Sequence, residues 1–199
     1  MTRRSKGGHT LPERPPLTLA AGLDEVRARL GQLPSGRTRW VGIDGFGAAG
    51  KTTFAHTVST MINNAVVVHV DDFSGPGIPT WDHDRFRTEL LEPLLAGRSA
   101  RYRVSDPDID VLGSSVAVDP GQVLIIEGVS STDEAVAVPW DLTVWLETPA
   151  EVRWQRVLAR DPVERLEIWR TEWIPSERAY AERQRPRERA DLVIRGDQT

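Results

Sequence analysis

Apolar residues run along this chain in two rhythms. Leu19, Leu23, Val26, Leu30 and Leu33 recur at helical spacing through Leu17 to Leu33, until Pro34-Ser35-Gly36 breaks the pattern. Short aliphatic runs at Arg39 to Asp44, Gln122 to Ile126 and Asp141 to Leu146 each predict a buried strand, and the β-branched run from Ala65 to Val70 predicts another strand. Leu192 to Ile194 predicts a last short one. Between them, Lys51 to Met61, about Asp82 to Leu95 (stopped by Gly97), and Pro149 to about Arg160 read as helices, and a further helical region interrupted near Pro175 extends to roughly Arg183. Residues 101–118 predict short β segments around an irregular acidic loop. Strands alternating with helices predict an α/β domain whose parallel sheet is covered on both faces.

Composition narrows the class. The 199 residues suit one domain with a single sizeable core, and 39% hydrophobic with 27% charged residues is ordinary for a soluble protein. A formal net charge of −4 gives no footing for general nucleic-acid binding. There are no cysteines, which removes disulfides, thiolate metal sites and cysteine nucleophiles. No apolar run approaches the roughly 20 residues of a membrane span. Residues 1–16 are polar, end in Pro15-Pro16, and lack the apolar stretch that would make Arg3-Arg4 part of an export signal. The expectation is a cytoplasmic protein with a flexible tail over 1–16, one domain over 17–199, and no nucleic-acid or membrane partner; homo-oligomerisation stays open.

The chemistry begins after the first strand. Gly45-Phe46-Gly47-Ala48-Ala49-Gly50-Lys51-Thr52 fits the phosphate-loop pattern G-x-x-x-x-G-K-[ST]. Gly45, Gly47 and Gly50, with the small Ala48 and Ala49, let successive amides turn inward around a β-phosphate, helped by the helix N-terminus at Thr52 and Thr53. Lys51 brings a cation to the β- and γ-oxygens, and the Thr52 hydroxyl suits Mg²⁺. ATP and Mg²⁺ are therefore the expected cofactors. The fold class becomes a P-loop NTPase-type parallel sheet with helices on both faces.

Carboxylates stand at the ends of later strands, where open α/β sheets gather ligands. Asp71 and Asp72 follow the second strand and can accept a hydroxyl proton or help hold Mg²⁺. Glu127 follows Val123-Leu124-Ile125-Ile126 in a Walker-B-like arrangement and is a second metal candidate. Each could instead cap a helix. Arg153, Arg156 and Arg160 share one helix face, with Arg165 and Arg170 beyond; any of them could offset phosphoryl charge or simply line a solvated surface. Trp81 could stack on a planar substrate or cover the core edge. No His/Asp/Glu cluster suggests zinc.

These residues resemble the uridine kinase family and its relatives phosphoribulokinase and bacterial pantothenate kinase, over about residues 39–195. Val41-Gly42-Ile43-Asp44-Gly45 running into Lys51-Thr52-Thr53 is similar to the family's opening strand and loop. Asp71-Asp72-Phe73 resembles its Asp-Ser-Phe-Tyr segment, which implies Asp71 as catalytic base. Trp81-Asp82-His83 resembles Phe-Asp-His, which implies substrate contacts from Trp81 and Asp82. Ile126-Glu127-Gly128 resembles the Glu-Gly segment near the metal, and Ala190-Asp191-Leu192-Val193-Ile194 the closing strand. Arg160-Asp161 with Glu164-Arg165 resembles the mobile lid, here about 156–185. Ser74, Ser105-Asp106-Pro107 and Leu166-Glu167-Ile168 depart from the family's residues.

The resulting expectation is a phosphotransferase that moves the γ-phosphoryl group of ATP to a small-molecule hydroxyl. Asp71, Lys51 and Arg160 carry the chemistry; Thr52, Glu127 and Asp72 serve the metal; Asp71, Trp81, Asp82, Tyr102, Asp106 and Arg165 line the acceptor site. A nucleoside such as uridine leads as acceptor. The rivals are a non-nucleoside alcohol (a sugar, a pantothenate-like acid, an antibiotic) and a non-catalytic nucleotide-binding regulator, against which stands the lack of an Asn-Lys-x-Asp motif.

Overall fold

The computed structural model describes residues 15–75, 80–106 and 109–197, with backbone alone for Asp106 and 109–112. The tail expected over 1–16 lies almost wholly outside them. In chain order the elements are α1 (Leu19–Gln32), β1 (Arg39–Asp44), α2 (Lys51–Met61), β2 (Ala65–His69), α3 (His83–Phe86), α4 (Glu92–Leu95), β3 (Ala100–Asp106), β4 (Ile109–Val118), β5 (Val123–Glu127), β6 (Leu142–Glu147), α5 (Ala150–Arg160), α6 (Val163–Ile168), α7 (Ile174–Gln184), α8 (Pro186–Arg189) and β7 (Leu192–Arg195).

Five strands form one parallel sheet in the order β2-β5-β1-β6-β7. The chain goes from β1 to β2 on one side and later from β5 across β1 to β6 on the other. The strand order therefore reverses at β1, and a crevice opens beyond its carboxyl end. The expected strands and parallel sheet are all present, with β2 at the sheet edge only partly buried.

Strand periodicity sorts the core. In β5, Leu124 and Ile126 face a cluster with Trp40, Val68, Phe73, Phe86, Leu90 and Tyr102. Val123 and Ile125 face the opposite cluster, with Val41, Ile43, Val26, Leu30, Phe54 and Val58 from β1, α1 and α2. Both faces are buried, which is why β5 reads as an unbroken aliphatic run. α1 starts where the Thr18 side chain accepts from the Ala21 amide at 3.3 Å, and closes onto β7 where Gly22 lets Ile194 approach.

Two expectations need refinement. The β segments expected over 101–118 are not separate: β3 and β4 pair as a two-stranded antiparallel hairpin with register shifts after Arg103. The helices expected over 82–95 and up to about 183 are not uniform either. A π turn at Arg87–Leu91 precedes Pro93, and another at Trp169–Trp173 precedes Pro175. Proline has no amide to donate and its ring collides with the carbonyl four residues back. Here the residue just before each proline, Glu92 or Ile174, donates five residues back, to Arg87 or Trp169, so the helix widens and continues.

Ile125 is fully buried in the central region of the sheet. Ile125→Ala should lower unfolding free energy by roughly 2–5 kcal/mol, read from urea denaturation.

Candidate active site

The loop expected to cradle phosphate turns at the carboxyl end of β1. Gly45 has φ 148°, and a Cβ there would stand 2.7 Å from the Leu146 carbonyl oxygen, so the first glycine is required by both backbone and space. Ala48 (φ 59°) and Gly50 (φ 99°) complete the curl, and α2 begins at Lys51. The first amides of that helix, at Lys51, Thr52 and Thr53, have no partner one turn earlier, so they present positive ends to the loop. Lys51 is buried and its Nζ donates to the Phe46 carbonyl at 2.9 Å. Burial pushes its ammonium pKa down, while Glu127, Asp44, Glu177 and Asp71 hold it up.

Beneath the loop lies Asp44, 2% exposed. Its Oδ1 accepts from the amides of Gly45 (2.7 Å) and Ser130 (3.0 Å). Its Oδ2 accepts from the Thr132 amide (3.2 Å), the Thr132 hydroxyl (2.7 Å) and the Tyr180 hydroxyl (2.7 Å).

Glu127 ends β5 and faces the loop. Its Oε1 accepts from the Thr52 hydroxyl at 2.9 Å and lies 2.5 Å from His69 Nδ1. That bond raises the His69 pKa against the effect of burial. A 3₁₀ turn over Val70–Phe73 then carries the two aspartates. Asp71 is open to solvent at its surface yet recessed among protein groups. Burial foremost, and Glu127 next, raise its carboxyl pKa, while Lys51, His69 and Arg160 draw it down. Thr52 and Glu127 are thus in contact, and Lys51 and Asp71 act on Glu127 and on each other through their charges.

Asp72 turns away to the hairpin. Its Oδ2 accepts from the Tyr102 hydroxyl at 3.2 Å, and its carboxyl is raised mainly by burial. Tyr102 itself is buried and stacks on Phe73 at 4.9 Å between ring centres. Asp82 caps α3, accepting from the Arg85 amide. The Asp106 side chain lies outside the described residues. Trp81 does not line an open pocket: it is 4% exposed, donates Nε1–H to Ser130 Oγ at 3.1 Å, and packs on Phe86 and His83. The core-edge alternative describes its position, because a buried indole needs a fixed acceptor and finds one in Ser130.

The arginines divide. Arg156 donates to the carbonyls of Ala48 and Gly196, and Arg153 to that of Thr148 while lying over the Phe46 ring at 4.7 Å, so both brace the loop from outside. Arg160 pairs with Asp161 at 2.7 Å, and its charge reaches Asp71. Arg165 acts on Asp161 as well. The segment expected as a lid is tied at both ends, by Arg156 and by Glu177 and Tyr180 of α7.

Sequence reasoning missed four residues: Asp44, His69, Arg85 and Glu177. Arg85 donates to Ser105 Oγ, to the carbonyls of Asp72 and Arg103, and to Glu89, joining hairpin to aspartate turn. Glu177, 130 positions from the loop, accepts from the Gly47 amide at 3.0 Å. Only Asp44 carried a signal, a carboxylate closing a buried strand.

Among the described residues no group of three or more His, Cys, Asp or Glu side chains could hold a metal, and no helix is long and apolar enough to cross a membrane.

The family model described as Phosphoribulokinase / Uridine kinase family matches residues 79–169. A uridine kinase of Halobacterium salinarum is 32% identical over 142 residues, covering 63% of this chain and 63% of that protein. Uridine kinase-like protein 5 of Arabidopsis thaliana is 30% identical over 143 residues, covering 63% of this chain and 31% of that protein. The chain thus spans less than two thirds of either relative. The structure of a possible uridine kinase from Bacillus stearothermophilus superposes with TM-score 0.68 at 22% identity, covering 88% of this chain and 98% of that one. In sequence the chain is similar to these uridine kinases, and it shares the fold of the Bacillus stearothermophilus structure.

Asp44→Ala would orphan buried donors from three segments and should lower stability by more than about 3 kcal/mol, whereas Tyr180→Phe should remove only about 1 kcal/mol. Paired urea titrations measure both.

Proposed function

We propose that this chain is an ATP-dependent kinase of a small-molecule hydroxyl, with a nucleoside such as uridine as the leading acceptor. One observation carries the reading: the glycine-built anion cradle, its buried Lys51, the Thr52–Glu127 pair and Asp71 converge on one crevice. The relatives named above support it.

Thr52 and Glu127 fit Mg²⁺. Their bonded atoms are both hard oxygens, 2.9 Å apart, and this ion takes one or two protein oxygens and fills its remaining positions with phosphate and water. When bound, Mg²⁺ neutralises charge on the β- and γ-oxygens. The Asp72 carboxylate is bonded to Tyr102, so its role is to position the turn that carries Asp71 rather than to hold metal.

The loop amides and Lys51 hold the triphosphate. The acceptor hydroxyl lies between Asp71 and the γ-phosphorus. Its oxygen forms the new O–P bond as the bond to the β–γ bridging oxygen breaks, and its proton passes to an Asp71 carboxylate oxygen. A raised carboxyl pKa suits that role, since a base works best near the ambient pH. Arg160, at the edge of the crevice, offsets charge on the transferring group. Closure of the segment between the pinned ends, about 161–173, excludes water.

A second reading has its own support. With the Trp81 indole in the core and the Tyr102 ring buried against Phe73, neither aromatic residue expected at the acceptor site offers a free face to a base among the described residues, which favours a non-nucleoside alcohol.

In a coupled ATPase assay against nucleosides, sugars and pantothenate-like acids, uridine turnover supports the first reading; turnover of a base-free alcohol alone transfers the assignment to the second. Lys51→Ala should abolish productive ATP binding. Asp71→Asn should lose roughly 10²–10⁴-fold in turnover with near-normal nucleotide affinity. An active Asp71→Asn beside a crippled Asp72→Asn reverses the base assignment.

A further inference from the structure

Glu177 belongs to no part of the mechanism above, yet it sits on the phosphate loop. It is 6% exposed, on a helix fixed at the next turn by the Tyr180–Asp44 bond. Its Oε1 accepts from the Gly47 amide at 3.0 Å. Its Oε2 is buried with no hydrogen-bond partner, and the Arg153 guanidinium stands 3.8 Å away. Burial pushes the carboxyl pKa up, against the Gly47 amide, Lys51 and Arg153. Trp169 closes over the same point: a Cβ on Gly47 would be 2.5 Å from its ring and 2.6 Å from Glu177 Oε1.

A loop of inward amides is a receptor for an anion. The chain therefore supplies one of its own. Bound there, Glu177 draws on the Gly47 amide and on the charge of Lys51, both of which a triphosphate also needs. Two anions sharing one low-dielectric site repel each other strongly. The carboxylate is also an incomplete occupant, since one of its oxygens is left without a donor in the interior, and that makes it displaceable.

We propose that Glu177 is an internal competitor for the phosphate loop, holding the Gly47 amide until a triphosphate displaces it and thereby setting nucleotide affinity. This rests on the nucleotide-binding reading of the loop. Trp169 moves with the displacement, because it covers the same glycine.

The test uses the full chain, titrated with ATP-Mg²⁺ and with inorganic tripolyphosphate by calorimetry and by tryptophan emission. Glu177→Gln keeps the shape and an acceptor oxygen for Gly47 but removes the charge. It should bind both probes about tenfold more tightly than the wild type, and its melting temperature checks folding. In the wild type, binding should shift an emission component that Trp169→Phe abolishes, and Glu177→Ala, which removes the carboxylate outright, should tighten both probes likewise and decides the matter if Glu177→Gln does not fold. Equal or weaker binding by Glu177→Gln, or an emission spectrum indifferent to tripolyphosphate in a wild type that binds it, makes Glu177 a brace and overturns the proposal. If neither protein binds either probe, the nucleotide reading itself fails and takes this inference with it.

Discussion

One buried carboxylate underlies the site. Asp44 is the last residue of the central strand, and five donors converge on its two oxygens, one from the adjacent Gly45 and four from two distant segments. A buried charge is tolerable only when so fully satisfied. The arrangement dictates where β1 stops, how Gly45 departs, where the 130–132 turn lies, and where α7 docks. The phosphate loop does not stand as an independent motif. Its curvature is underwritten from below by hydrogen bonds and from outside by Arg153 and Arg156 on its carbonyls.

Above that foundation the crevice gathers charge of both signs. Lys51 is drawn toward neutrality by burial, and Asp71 likewise toward its protonated form. Each opposes the other's shift. A cation held away from water and a carboxylate whose proton affinity is lifted from its ordinary range, side by side in a crevice, are the physical marks of a candidate functional site.

Much of this was legible in the residues. The central strands announced themselves as aliphatic runs, because burial on both faces leaves polar residues mainly to their ends. The phosphate loop was legible because its backbone geometry permits few residue types. What could not be read was long-range. Glu177 looks like any helix-surface glutamate; only the docking of α7 takes it to Gly47. Trp81 offered two equivalent readings, and the neighbouring Ser130 hydroxyl, 49 positions away, decides its place. The hairpin of residues 100–118 hid because its tip is polar and its register irregular. The π turns hid because proline signals interruption, while the fold answers with a widened turn.

The two cores are divided by the sheet, and the hairpin belongs to only one of them. It meets the crevice through Tyr102 on Asp72 and Ser105 on Arg85, and it makes no strand pairing with the main sheet. The hairpin is thus mechanically separable from the sheet: its outward side chains can change without shifting any register of the five parallel strands or the carboxylate that anchors the loop.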